Sequence, residues 1–330
     1  MSETTNEKEN VMRLLQSGQM ENIELGLDIA RAVNIDLSDI KSDLDALFEW
    51  FGKHKKLTMK NKLLKASSIT ELGLSKHKQP YIPPTIRYLT NLKSLDFVHC
   101  KIQTLPSEIG ELKRLETLAL VYNQLDYLPT EIGALSELQE LNLSNNKIKE
   151  LPVEIGHLSK LKSLYLSSNP LGHLPKEIEN LCNLINLNLR FTQLTSLSET
   201  LIILSNLPKL SNLSLSNIYS LPTEIEKLQN LFDLNASFSQ LTDLPKSIGK
   251  LSNLRFLQLE YNQLSSLPYE LYQLSNLYSM NLNNNLFASL PLEISNLKNL
   301  KSLSLRNNPI PDDEKEKIKS WLPSCNIRFE

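Results

Sequence analysis

Glycine is scarce in this sequence, 9 residues in 330, and nowhere clustered. That removes the glycine-rich loops by which many enzymes wrap phosphate groups. Cysteine is scarcer still. Cys100, Cys182 and Cys325 stand far apart, with neither a CxxC pair nor histidine at metal-ligand spacing, so they give no metal site and read as small buried or half-buried thiols of a reducing compartment. Aromatic residues make up only 6% of the chain. A net charge of −2 and a pI near 6.3 leave no field to gather phosphates, so neither nucleic acid nor an anionic membrane is an expected partner. No apolar run reaches the roughly 20 residues of a membrane span. The opening segment, MSETTNEKEN, lacks the cationic start and apolar stretch of a signal peptide. The expected location is the cytoplasm, with export by a route that uses no cleavable signal as the alternative.

Catalytic constellations are missing too. The histidines, His54, His77, His99, His157 and His173, are scattered, and no register assembles a Cys-His pair, a Ser-His-Asp triad or paired carboxylates. The expectation is a protein that is not an enzyme and needs no cofactor or metal.

What the chain does have is leucine at fixed intervals. Leu-Pro pairs begin at Leu105, Leu128, Leu151 and Leu174, then at Leu221, Leu244, Leu267 and Leu290, 23 residues apart within each group and 47 apart between them. Alignment on these pairs gives LxxLxLxxNxLxxLPxxIxxLxx, seen cleanly in Leu138, Leu141, Leu143, Asn146, Ile148, Leu151, Pro152, Ile155 and Leu158. The pattern resembles the leucine-rich-repeat family, in the 23-residue type found in bacterial repeat proteins and in animal polarity and Ras-pathway scaffolds. It covers residues 69 to 310 in about eleven units. The resemblance implies an α/β fold: a right-handed leucine-rich-repeat solenoid, a horseshoe or arc, with a parallel concave sheet.

Each column has a physical reason. Alternating leucines in LxLxx point to one face of a short strand and the residues between them to the other. The asparagine at position nine (Asn123, Asn146, Asn169, Asn262, Asn285, Asn308) has a carboxamide able to satisfy backbone groups of adjacent turns that burial would leave unpaired. Proline fixes φ on the way out of the strand, and the Glu-Ile-Gly-x-Leu stretch, as at Glu108–Leu112, suits a 3₁₀ or short helical turn.

A repeat shows its apolar face only to its neighbours, so both ends need covers. Residues 1–65 lack the repeat and are expected to form a helical cap, residues 66–310 the repeats and residues 311–330 a second cap. The stripe Ile40, Leu44, Leu47, Phe48 and Phe51 predicts a helix with Ser38 as cap and Gly52 as stop. Val11, Leu14 and Leu15, then Ile23, Leu27, Ile29 and Ala30, predict two more, broken near Gly18. This region caps the first repeat or forms a separate recruitment module. Pro311 followed by acids and then lysines predicts a helix laying Ile318, Trp321 and Leu322 on the last repeat. The lysine run Lys53, Lys55, Lys56, Lys60, Lys62 and Lys65 follows fifty residues with eleven acids against four bases, and reads as their counterweight or as a solvated face.

Outward strand positions contribute nothing to the leucine core, so a partner is free to select them. At positions five, seven and eight the chain reads Asn188-Arg190-Phe191, Asn235-Ser237-Phe238, Gln258-Glu260-Tyr261 and Asn281-Asn283-Asn284. Positions two and three add Phe232, Arg255, Phe256 and Tyr278. Aromatics with arginine among amides match interface hot spots, although the same rings also fit cross-strand stacking for stability alone. Val98, Val121, Tyr122 and Tyr165 form a weaker group. The unit from Leu184 runs 26 residues and has Leu197-Ser198 in place of Leu-Pro, and the next, from Leu210, is two residues short; the break adjoins Arg190 and Phe191. The expected function is a protein–protein interaction scaffold or adaptor, a monomer that binds another protein on its concave face. Two other readings stand beside it: an exported bacterial effector engaging a host protein through that face, and an enzyme of unrecognised type.

Overall fold

The computed structural model describes residues 2–17, 19–50, 57–76 and 80–330, with side chains from residue 6 onward. Gly18, Phe51, Gly52, Lys53, Lys55, Lys56, His54 and His77, named above, lie outside the described residues. Contacts divide the chain into two compact units, Met1–Leu161 and Lys162–Glu330.

The first unit opens with helices α1 (Ser2–Gln16), α2 (Met20–Ala32), α3 (Ser38–Trp50) and α4 (Met59–Ser67). Most of the predicted stripes form their buried faces, with Val11 and Leu15 on α1, Ile23, Leu27 and Ala30 on α2, and Ile40, Leu44, Leu47 and Phe48 on α3, while Leu14 and Ile29 are only half-buried. Gly26 permits the close approach of α1 and α2, since a Cβ there would stand 3.1 Å from both Leu14 and Leu15. Ser38 is the first helical residue of α3 rather than its cap. Asp36, two residues before it, steadies the helix start, its carboxylate accepting both the Ser38 N–H and its hydroxyl at 2.9 Å. These bonds hold the Asp36 carboxyl below its ordinary range. Of the lysine run, Lys60 pairs with Glu24 at 2.5 Å and Lys62 with Asp45, so part of it does offset the acidic helices.

Strands β1 (Glu71–Ser75), β2 (Ser94–Val98), β3 (Thr117–Ala119) and β4 (Glu140–Asn142) follow, each parallel to the one before. Their register puts Leu72, Leu95, Leu118 and Leu141 side by side, one period apart. Leu141, Leu143, Ile148, Ile155 and Leu158 are all fully buried. After each Leu-Pro the chain makes a 3₁₀ turn such as Thr130–Ala134, with Pro129 at φ −67° leading in. The glycine of that turn has a steric reason: a Cβ on Gly133 would meet the Glu154 carbonyl oxygen of the next repeat at 2.5 Å. Asn146 does what position nine requires, its Oδ1 accepting the Leu125 N–H at 3.0 Å while its Nδ2 donates to the carbonyls of Leu120 and Leu143. Helix α3 packs on the first 3₁₀ turn: Asp43 pairs with Arg87 at 2.6 Å, and Trp50 donates to the Tyr81 carbonyl while its ring lies 5.7 Å from that of Phe97. Burial beside this pair pushes the Tyr88 hydroxyl up to about 12.

The second unit carries β5 (Ser163–Tyr165), β6 (Asn186–Leu189), β7 (Asn212–Leu215), β8 (Asp233–Asn235), β9 (Phe256–Gln258), β10 (Ser279–Asn281), β11 (Ser302–Ser304) and β12 (Asn326–Arg328), again parallel and in chain order. The expected C-terminal helix is α6 (Asp312–Trp321), which buries Ile318, with Leu322 buried just beyond it. Strand β12 was not expected: the eleven repeats give eleven strands, and the tail after α6 adds a twelfth against β11. The irregular unit from Leu184 holds a helix, α5 (Leu197–Leu204), where its neighbours have a 3₁₀ turn. Ser196 caps it by accepting the Glu199 N–H, so the extra residues are spent on a capped helical turn.

Candidate partner-binding face

In the second unit the strand register places Asn188 beside Ser214, Ser214 beside Asn235, and Asn235 beside Gln258. These amides are partly committed already. Asn188 Oδ1 accepts the Arg190 N–H and Asn235 Oδ1 accepts the Ser237 N–H, each at 3.0 Å, a local turn that ends the strand. Gln258 is half-buried, and the Glu260 carboxylate accepts from Asn281 Nδ2 at 2.6 Å.

The proposed aromatic column stands where the chain leaves the strand. Phe191, Phe238 and Tyr261 have φ of 55°, 57° and 55°, in the left-handed region. The equivalent residues Asn217, Asn284 and Asn307 share that conformation. Asparagine tolerates it because its short side chain bonds locally, whereas a bulky ring there carries strain of about 1 to 3 kcal/mol. The three rings are also 47%, 41% and 48% exposed, so core burial is not what holds them in place. They form a ladder, with centroids 6.4 Å apart for Phe191 and Phe238 and 4.4 Å apart, stacked, for Phe238 and Tyr261. The Arg190 guanidinium lies 5.3 Å from both phenylalanine rings, and its Nε is buried without a hydrogen-bond partner.

Phe232, Arg255, Phe256 and Tyr278 gather at the other end of the strands. Phe256 stands 5.3 Å from Phe232 and 6.0 Å from Tyr278, and the Arg255 guanidinium covers Phe232 and Tyr278 at 5.7 and 5.5 Å. Eleven of the twelve expected site residues therefore resolve into two aromatic-arginine ladders with the amides Asn188, Asn235 and Gln258 between them, and the twelfth, Glu260, is bonded to Asn281. Of the weaker group, Tyr122 in the first unit stacks on His99 at 4.3 Å, and Tyr165 in the second lies beside Asn188.

The groove along the second ladder holds residues that sequence reasoning passed over. Asn230, Asn253, Asn276 and Asn299 line it, and each donates its Nδ2 to a main-chain carbonyl of the preceding repeat at 2.8 to 2.9 Å. Their signal was available as an asparagine 23 residues apart just before the first leucine of four units. Among the described residues no group of three or more His, Cys, Asp or Glu could hold a metal ion, and no helix is long and apolar enough to cross a membrane.

Comparison with known proteins gives a consistent picture. A family model for a leucine-rich repeat region matches residues 117–217, and one for a single leucine-rich repeat matches residues 91–112. No curated protein sequence matches the chain. Among solved structures it is similar to a leucine-rich-repeat protein of Leptospira interrogans, at 34% identity over 81% of this chain and 80% of that one, with a TM-score of 0.56. An internalin of Listeria monocytogenes shares the fold at 22% identity, covering 88% and 87% of the two chains with a TM-score of 0.63. A plant peptide hormone receptor, solved in complex with RGF2, is 30% identical over 79% of this chain and 47% of its own length, with a TM-score of 0.59.

Proposed function

The chain belongs to the leucine-rich-repeat family, and from that premise we propose that it is a binding scaffold or adaptor that holds another protein against the strand face of residues 184–284. The observation that carries this reading is the left-handed aromatic ladder of Phe191, Phe238 and Tyr261. A repeat protein that only had to fold would do better with asparagine at position eight, as it has at Asn217 and Asn284. Rings that are strained and half exposed gain their advantage when a partner covers them. Aromatics and arginine in that role supply most of the energy of protein interfaces. Arg190, with its guanidinium 5.3 Å from two of the rings, adds a positive charge beside the ladder.

The plant receptor's complex with RGF2 supports a bound ligand on this repeat architecture. We read the chain as a monomeric protein of the cytoplasm that binds without catalysing a reaction, its three cysteines free thiols, of which Cys182 is exposed rather than buried as the sequence suggested. The helices α1–α4 serve in this reading as the cap of the first repeat, through the Asp43–Arg87 pair and the Trp50 contact. The test is capture by chemical cross-linking in the native host, comparing wild type with the triple variant Phe191→Asn, Phe238→Asn, Tyr261→Asn. The variant is expected to lose the wild-type partner while keeping its melting temperature within a few degrees. A partner retained in full by the triple variant overturns the assignment.

A further inference from the structure

The groove beside Arg255 is a separate surface, and its chemistry differs from that of the position-eight ladder. It has a volume of about 790 Å³ and lies wholly in the second unit. Its charged lining residues are Arg255 and Lys301, and no carboxylate lines it. Neither cation makes an ion pair among the described residues, whereas Lys93, Lys160 and Lys246 on the repeats each have a carboxylate within 4 Å. Asp233, next in sequence to the lining residue Phe232, sits in register with Phe256 and does not line the groove.

Arg255 is also pre-positioned. Its guanidinium lies over the rings of Phe232 and Tyr278, with Phe256 packed between those rings, so its plane is held before any ligand arrives. An arginine ordered in this way loses little freedom on meeting a carboxylate, which it can grip through two parallel hydrogen bonds. Lys301 stands two repeats further along. At about 4.8 Å per strand the two cations are roughly 10 Å apart, the distance that separates carboxylates about three residues apart in an extended chain.

The remaining lining is a row of carboxamides. Asn230, Asn253, Asn276 and Asn299 each commit one Nδ2 hydrogen to the preceding repeat. What each retains is its oxygen and a second N–H, the complement of a peptide group. A row of acceptor oxygens is the wrong lining for the phosphates of a nucleic acid, which are acceptors only, and two cations are few for counterion release. We propose that this groove is a second binding site, which takes an extended acidic peptide segment whose carboxylates pair with Arg255 and Lys301 while its main chain meets the asparagine row. The site does not depend on the position-eight ladder.

Fluorescence anisotropy of a fluorescein-labelled hexaglutamate peptide tests it, with hexalysine and a single-stranded oligonucleotide as comparisons. Hexaglutamate is expected to bind the full chain, to weaken as salt rises, and to lose at least about tenfold in affinity in Arg255→Glu/Lys301→Glu, equivalent to about 1.4 kcal/mol. The milder Arg255→Gln/Lys301→Gln is expected to show an intermediate loss, which guards against misfolding of the reversed variant. The triple variant Phe191→Asn, Phe238→Asn, Tyr261→Asn is expected to bind hexaglutamate as wild type does, so failure of one site is distinguishable from failure of the other. Hexaglutamate binding no better than hexalysine, or equally to the wild type and the Gln variant, overturns the proposal. Tighter binding of the oligonucleotide than of hexaglutamate also overturns it, in favour of a nucleic-acid surface.

Discussion

Replacing Phe238 by alanine and, separately, by asparagine isolates the strain on which the binding argument rests. Both variants lose the same ring, its 4.4 Å stack on Tyr261 and its contact with Arg190, so those losses cancel between them. Both keep the main-chain bond from residue 238 to the Glu260 carbonyl at 2.9 Å. What differs is the fitness of the new residue for φ 57°. Alanine there brings its Cβ too near the following carbonyl oxygen, at about 1 to 2 kcal/mol, while asparagine offsets part of that by bonding locally. The asparagine variant should therefore be more stable than the alanine variant by about 1 kcal/mol, or about 2 to 4 °C in melting temperature for a unit of this size. Parallel urea and thermal melts measure it. If Phe238→Asn is no more stable than Phe238→Ala, the position is not strained in the way described, and the inference that its ring is kept for a partner falls.

Two further outcomes follow from packing and charge. Gly133→Ala should destabilise the first unit by about 1 to 3 kcal/mol, because its Cβ would press on Glu154 at 2.5 Å from the carbonyl oxygen and 2.8 Å from Cβ; an unchanged urea midpoint would show that the turn can yield. Asp233 is half-buried, and burial raises its carboxyl above the usual range. Its folded pKa thus exceeds its unfolded one, and its contribution favours folding below the unfolded pKa and is lost as pH rises through the folded pKa. Asp233→Asn should accordingly raise the melting temperature at pH 7 and leave it unchanged near pH 3; a gain of equal size at both would remove burial of charge as the cause.

The repeat frame was legible because its causes are local and recur. Leu141, Leu143 and Asn146 each answer a need met again 23 residues later, so alignment alone gives the register. Strand β12 was not legible, since Asn326–Arg328 has no LxxLxL around it and joins the sheet only because β11 leaves an edge to pair. The helix α5 was announced by Ser196-Leu197-Ser198-Glu199, a capping pattern hidden by the expectation of Leu-Pro at that place. The aromatic column could be listed from sequence, with Arg190 and Arg255 already at different positions of the repeat, but two facts about it could not: the left-handed backbone beneath it, and the stacking of each arginine on its own set of rings. Both depend on where the chain turns out of the strand, which the column pattern does not encode.

The most direct test of the binding face places a photo-reactive benzoyl-phenylalanine at Phe238, and at Leu292 as a control that is more exposed but lies on a 3₁₀ turn. Irradiation in the native host should yield a cross-linked partner protein from position 238 and none from position 292. Cross-links from position 292 alone would place the partner elsewhere and contradict the account.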